Sequence, residues 1–222
     1  MPMTFGRGLL ATLAYLFVSN LIRQIVLGAN IFGFSELVYG IQFVLSAGII
    51  LALVYWYVKN KEEEGWKVLQ PTSDRHYHLA FLLGAIFGLL FPLVNGLYEA
   101  IGSAEGFVNP YDFRGYQNLS VGALSHLLII PITHELFCRE YLQKRLMRQY
   151  SASKALWMAA VAFTLIGIPW YAVLGGYYSI PPTTILYGLG GGYLSGMLYY
   201  QSGSLGPSVA LHISWAVMVT LV

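Results

Sequence analysis

Chemistry has few places to reside in this chain. Of its 222 residues, 57% are hydrophobic and 10% charged, so an ionisable group inside a long apolar run stands out. The stretch Thr133-His134-Glu135-Leu136-Phe137-Cys138-Arg139-Glu140 brings an imidazole, a carboxylate and a guanidinium together, and His212 adds a second imidazole near the C-terminus. Imidazoles and carboxylates are the groups that general acid–base catalysis uses near neutral pH. Glu135 and Arg139 stand four apart. On a helix they share a face, with Glu N-terminal to Arg, the favoured order. The pair reads in two ways: a structural ion pair with Arg139 reaching for the interface, or part of a reactive set. His134 points about 100° round from Glu135. It shares a face with Cys138 and, more loosely, with His126. His212 is either a hydrogen-bonded packing residue or a partner of the His134-Glu135 level, and His126 reads as packing. A distance discriminates. Should His134 or Glu135 lie more than about 8 Å from the His212 ring, one water at hydrogen-bond lengths of roughly 3 Å cannot bridge them.

Two other constellations fail on spacing. A zinc-peptidase helix needs His-Glu-x-x-His, so that two imidazoles meet one metal. Here Cys138 stands where the second imidazole would be, and no metal or other cofactor is expected. A membrane serine protease would pair Ser195 with His212. Gly192 lies one residue too early for Gly-x-Ser-Gly, and Ser195 reads as a small packing residue. Cys138 is the only cysteine, which excludes an internal disulfide framework.

The elements that must position these groups are apolar runs long enough to cross a bilayer, about 20 residues each. Seven are predicted: Gly8 to about Ala29, Leu37 to Val58, Leu79 to about Tyr98 with a kink at Pro92, about Leu119 to Phe137, Ala155 to Leu174, Thr184 to Tyr200, and Leu205 to Val222. The fold class is therefore all-α, a polytopic membrane helix bundle. A charged fraction far below the ordinary ~25% excludes a soluble enzyme. A net charge of +2 is too small for a polyanion-binding surface, so no nucleic-acid partner is expected. Membrane lipid is the expected surrounding. Lys59, Lys61, Lys67 and Arg75 lie in one connection, Arg139 to Lys154 hold five basic residues after the fourth run, and Arg7 lies in the N-terminal tail. By the positive-inside rule these segments face the cytoplasm of a multi-pass cell-membrane protein. Glu62-Glu63-Glu64 reads as a solvated mixed-charge loop. Gly188, Gly192 and Gly196 place three glycines on one face of the sixth run, for internal helix packing rather than a dimer seam. The start does not resemble a cleaved signal peptide. The last run is still apolar at Val222, so it ends at the interface or continues into a tail.

At these residues the sequence resembles the CPBP family, the CAAX-protease and bacteriocin-processing membrane proteins. That family's motifs read Glu-Glu-x-x-x-Arg, Phe-x-x-x-His and His-x-x-x-Asn. His134-Glu135-Leu136-Phe137-Cys138-Arg139 falls on the first, Phe163-Thr164-Leu165-Ile166-Gly167 on the second and His212-Ile213-Ser214-Trp215-Ala216 on the third. The resemblance covers Val121 to Val222 and divides the chain into N-terminal transmembrane helices (1–120) and a CPBP-like core (121–222), as one membrane unit. It implies metal-independent, glutamic-type peptide hydrolysis at the cytoplasmic membrane face, of the CAAX-processing kind, on a peptide or lipidated-protein substrate. It also implies His134, Glu135, Arg139 and His212 as the catalytic set. The set is incomplete. His134 replaces the glutamate thought to activate water, Gly167 replaces a histidine, and Ala216 replaces the polar residue of the third motif. In a rearranged site, His134 would be the base, Glu135 its orienter and His212 the oxyanion donor. Non-proteolytic members of the family act instead as membrane scaffolds, regulators or bacteriocin self-immunity proteins, binding a membrane protein partner.

Overall fold

The computed structural model describes residues 3–28, 36–61, 72–102, 125–168 and 180–221, and there is no strand among them. Seven helices fill these segments: α1 (Phe5–Gly28), α2 (Glu36–Lys61), α3 (Asp74–Gly102), α4 (125–146), α5 (Ala152–Gly167), α6 (Pro182–Ser202) and α7 (Leu205–Leu221). Each follows one predicted apolar run, because in an apolar run only a helix satisfies every backbone group within its own segment. The predicted positions 119–124, 169–174 and 222, and the Glu62-Glu63-Glu64 loop, lie outside the described residues.

The runs differ in what they can span. Among the described residues, three helical segments are long and apolar enough to cross a membrane: Phe5–Val26, Gly40–Asn60 and Asp74–Tyr98. The described parts of α5 and α7 are shorter apolar helices of 16 and 17 residues, about 24–26 Å at 1.5 Å per residue. α4 gives up hydropathy to its ionisable residues. The seven helices thus bear out the expected all-α membrane bundle, with three long spans and shorter or more polar helices packed among them.

Local signals set the ends. Pro182 occupies the first turn of α6, where its missing N–H costs nothing. α6 stops at Gly203, which takes the left-handed conformation (φ 64°) and donates its N–H to the Tyr199 carbonyl at 2.9 Å. α7 begins two residues later, so α6 and α7 form a tight hairpin. α3 runs on through Pro92. α4 is not a regular α-helix: 125–129 and 136–143 are wound with wide π-type turns around an α-helical stretch, Ile130–Glu135. Such widened turns change which side chains meet across a helix.

Packing follows side-chain size. In a bilayer, lipid tails are as apolar as leucine, so contact between helices depends on close van der Waals approach, which small residues permit. α3 lies along α7 at Gly84, where any Cβ would strike Ser214 and the Leu211 carbonyl. The predicted glycine face of α6 packs internally: Gly188 meets Thr164, and Gly192 meets Ala160 and Phe163 of α5. A central core of Val58, Phe137, Leu142, Leu146, Ala155 and Phe163 joins α2, α4 and α5. Outward faces of α1, α2 and α3 carry exposed Phe17, Trp56 and Leu82, as lipid-facing surfaces require.

Candidate functional site

Glu135 lies at the meeting of three helices. It has no solvent-exposed surface, and each of its oxygens is addressed. Oε1 lies 3.1 Å from Nδ1 of His212 on α7. Oε2 accepts from the Ser195 hydroxyl of α6 at 2.6 Å and from Arg139 Nε at 2.8 Å. The network continues outward. Arg139 Nη1 donates to Gln143 Oε1 at 3.1 Å, and Gln143 Nε2 donates to the Gly196 carbonyl at 2.9 Å. Ser208 of α7 donates to the Ser195 carbonyl at 2.9 Å. Charges this deep are tolerated only when paired and hydrogen-bonded. Glu135 and Arg139 are both 0% exposed and supply that pairing one helical turn apart. Arg139 also rests over the Phe163 ring at 5.5 Å, a cation–π contact. Its Nη2 has no hydrogen-bond partner among the described residues.

Gly196 lets this network close. A Cβ there would sit 2.7 Å from Gln143 Oε1 and 3.0 Å from Arg139 Nη1. The stripe predicted as a packing face thus ends against the polar groups themselves.

The two imidazoles meet but play different parts. With Glu135 as carboxylate acceptor, His212 donates through Nδ1, which leaves Nε2 as its acceptor nitrogen. The His212 side chain is 13% exposed and is flanked by the rings of Phe163 at 5.1 Å and Trp215 at 5.9 Å. The His134 ring centroid is 5.8 Å from that of His212. It stands edge-on to Tyr15 at 6.2 Å and Phe163 at 6.4 Å, and no ring nitrogen of His134 has a hydrogen bond to a described residue. Both separations fall inside the ~8 Å limit for one bridging water. Glu135 touches His212, not His134, as their divergent directions on the helix require.

Ser195 corrects the sequence reading. It is not a mere packing residue, since it makes the shortest hydrogen bond to Glu135. Gln143 and Ser208 also escaped notice. Gln143 had a signal, since 135, 139 and 143 repeat every four residues, but Ser208 had none. His126 is an exposed residue that lies apart from the site, its ring stacked on Phe43 at 4.8 Å. Cys138 is buried in the apolar core. Among the described residues no group of three or more His, Cys, Asp or Glu converges on a metal position. Gly167 ends α5, with no described residue within 4 Å of a Cβ built there.

Residues 116–218 match the family model described as type II CAAX prenyl endopeptidase Rce1-like. The match takes in somewhat under half of this multi-pass membrane chain, and over that stretch the chain is similar to that endopeptidase family, a CPBP family. All of Glu135, Arg139, Ser195 and His212 fall inside the match. No curated protein and no solved structure matches the chain.

Proposed function

We propose that the protein hydrolyses peptide bonds at the cytoplasmic face of the cell membrane, with His212 as general base and Glu135 holding it in register. The observation that carries this reading is the 3.1 Å contact between Glu135 Oε1 and His212 Nδ1, with the His134 ring 5.8 Å from His212. The role of base moves from His134, where sequence reasoning placed it, to the imidazole that the carboxylate touches. His212 Nε2 takes a proton from water, and the water oxygen bonds to the substrate carbonyl carbon. The carbonyl oxygen becomes an oxyanion, to which His134 donates. On collapse the C–N bond breaks, and the proton held by His212 passes to the leaving amine. A positioned base contributes about 10²–10⁴-fold, and one oxyanion donor about 10²–10³-fold. Arg139 and Ser195 act through Glu135 and are positioning residues. The substrate class, a peptide or lipidated protein segment, is taken from the family match. The cytoplasmic orientation is taken from the basic residues at the end of α4.

The test is cleavage by the purified full chain in detergent, offered a peptide library with and without prenyl groups. His212→Ala is expected to lower turnover by at least 100-fold, with His134→Ala and Glu135→Gln below wild type. Absence of cleavage by wild-type protein on every substrate would refute the reading.

A second reading has its own support. Glu135 is saturated by three donors and enclosed, and Gly167 stands where the family motif has a histidine. A non-proteolytic domain would use the same network as a structural tie between α4, α6 and α7 while it holds a membrane protein partner. It predicts that Glu135→Gln lowers the melting temperature of a protein that cleaves nothing.

A further inference from the structure

A second feature lies on the other side of Tyr15. α1, α2 and α4 enclose a cleft of about 290 Å³ lined almost wholly by apolar side chains, among them Ala11, Tyr15, Val18, Leu53, Val54 and Phe137. Its floor is Tyr15 stacked on Phe137 at 4.7 Å. Its side wall opens outward, because Val18 and Leu53 are 44% and 45% exposed. Both lie within helical segments apolar enough to span a bilayer, so the cleft opens into lipid. An apolar cavity does not retain water. This one has room for roughly ten water-sized groups, at ~30 Å³ each.

The cleft is charged at one end. Residues 15, 19 and 23 follow at four-residue steps on α1, and 43, 50, 54 and 57 continue one face of α2. The walls of the cleft therefore run on to Arg23 and Phe43. Arg23 lies over the Phe43 ring at 5.7 Å, and His126 stacks on the same ring at 4.8 Å. Arg23 forms no ion pair among the described residues, and its Nε is buried without a hydrogen-bond partner. It stands 18 residues along α1 from Phe5, about 27 Å at 1.5 Å per residue, where a helix leaves the hydrocarbon layer. A guanidinium at that level, beside an imidazole and above an apolar cleft, is complementary to a phosphate ester that carries a hydrocarbon chain.

We propose that this cleft is a phospholipid site, with the headgroup phosphate on Arg23 and His126 and one acyl chain lying between α1 and α2 down to Tyr15 and Phe137. The site is independent of the hydrolytic reading and is tested by binding alone. The full chain, delipidated in detergent, is titrated in native mass spectrometry with dioleoyl phosphatidylglycerol, with dioleoylglycerol and with inorganic phosphate. One phosphatidylglycerol per chain is expected, with dioleoylglycerol at least tenfold weaker and no phosphate adduct. Arg23→Gln should bring phosphatidylglycerol down to the level of dioleoylglycerol. Ala14→Trp, which fills the cleft from an exposed wall position, should abolish both adducts while thermal unfolding in detergent stays as in wild type. Equal binding of the two lipids, or phosphatidylglycerol binding unchanged in Arg23→Gln, would overturn the headgroup assignment. Retention of lipid by a folded Ala14→Trp would overturn the chain assignment. An inorganic phosphate adduct lost in Arg23→Gln would assign the site to a free anion instead.

Discussion

Arg139 and Arg23 are both held within apolar helices, and the protein treats them in opposite ways. Arg139 is enclosed and tied at Nε and Nη1 to side chains one turn on either side, Glu135 and Gln143. Arg23 has a ring face and no carboxylate among the described residues. The difference follows from depth and surroundings. A guanidinium walled in by protein must find its counter-charge in protein, since an unpaired buried ion costs several kcal/mol. A guanidinium near the end of a lipid-facing helix can take its counter-charge from the bilayer. One arginine organises the interior, and the other addresses the surroundings.

Removing the enclosed arginine should have the largest effect. Arg139→Leu leaves Glu135 buried without its cation and is expected to destabilise the folded protein by about 3–5 kcal/mol. Glu135→Leu combined with Arg139→Leu should recover much of that loss, measured by thermal unfolding in detergent; a double variant no better than the single would break the account of Arg139. Ser195→Ala comes next, at about 1.5–3 kcal/mol for a hydrogen bond to a charged group. The conservative Ser195→Thr restores the hydroxyl and should regain part of that stability. Gly196→Ala forces a Cβ against Gln143 and Arg139, with an expected cost of about 1–3 kcal/mol. Gly167→Ala meets no described residue and should stay within about 0.5 kcal/mol of wild type; equal effects at the two glycines would remove the packing argument. Arg23→Gln should be the smallest of all, within about 0.5 kcal/mol in lipid-free detergent. A loss as large as that of Arg139→Leu would show that Arg23 too has a protein partner.

The sequence made part of the site legible. Glu135 and Arg139 could be paired from a four-residue spacing alone, because both lie on one helix and helical geometry is local. Placing His212 at the same level needed only the lengths of the runs and their alternation. Which carboxylate oxygen it meets, and that Glu135 orients His212 rather than His134, needed the actual approach of α7 to α4. Ser195 was misread for the same kind of reason. A serine in a glycine-rich helix looks like a small packing residue until the residue it faces is known. The seven helices were legible as apolar runs, but hydropathy averaged over a run does not show where a helix stops. α5 ends at Gly167, where the chain turns extended at Ile168.

By itself the sequence determined an all-helical membrane architecture, the internal use of the α6 glycine face, and the two ends of the ion pair. These depend on composition and on periods within one helix, which are local properties. Tertiary structure alone decided that Ser195, Gln143 and His212 join Glu135, that His126 stays outside the site, and that α1, α2 and α4 leave a cleft beside it. Those outcomes depend on how residues far apart in the chain pack together, and no spacing along the chain encodes the distance between one helix and another.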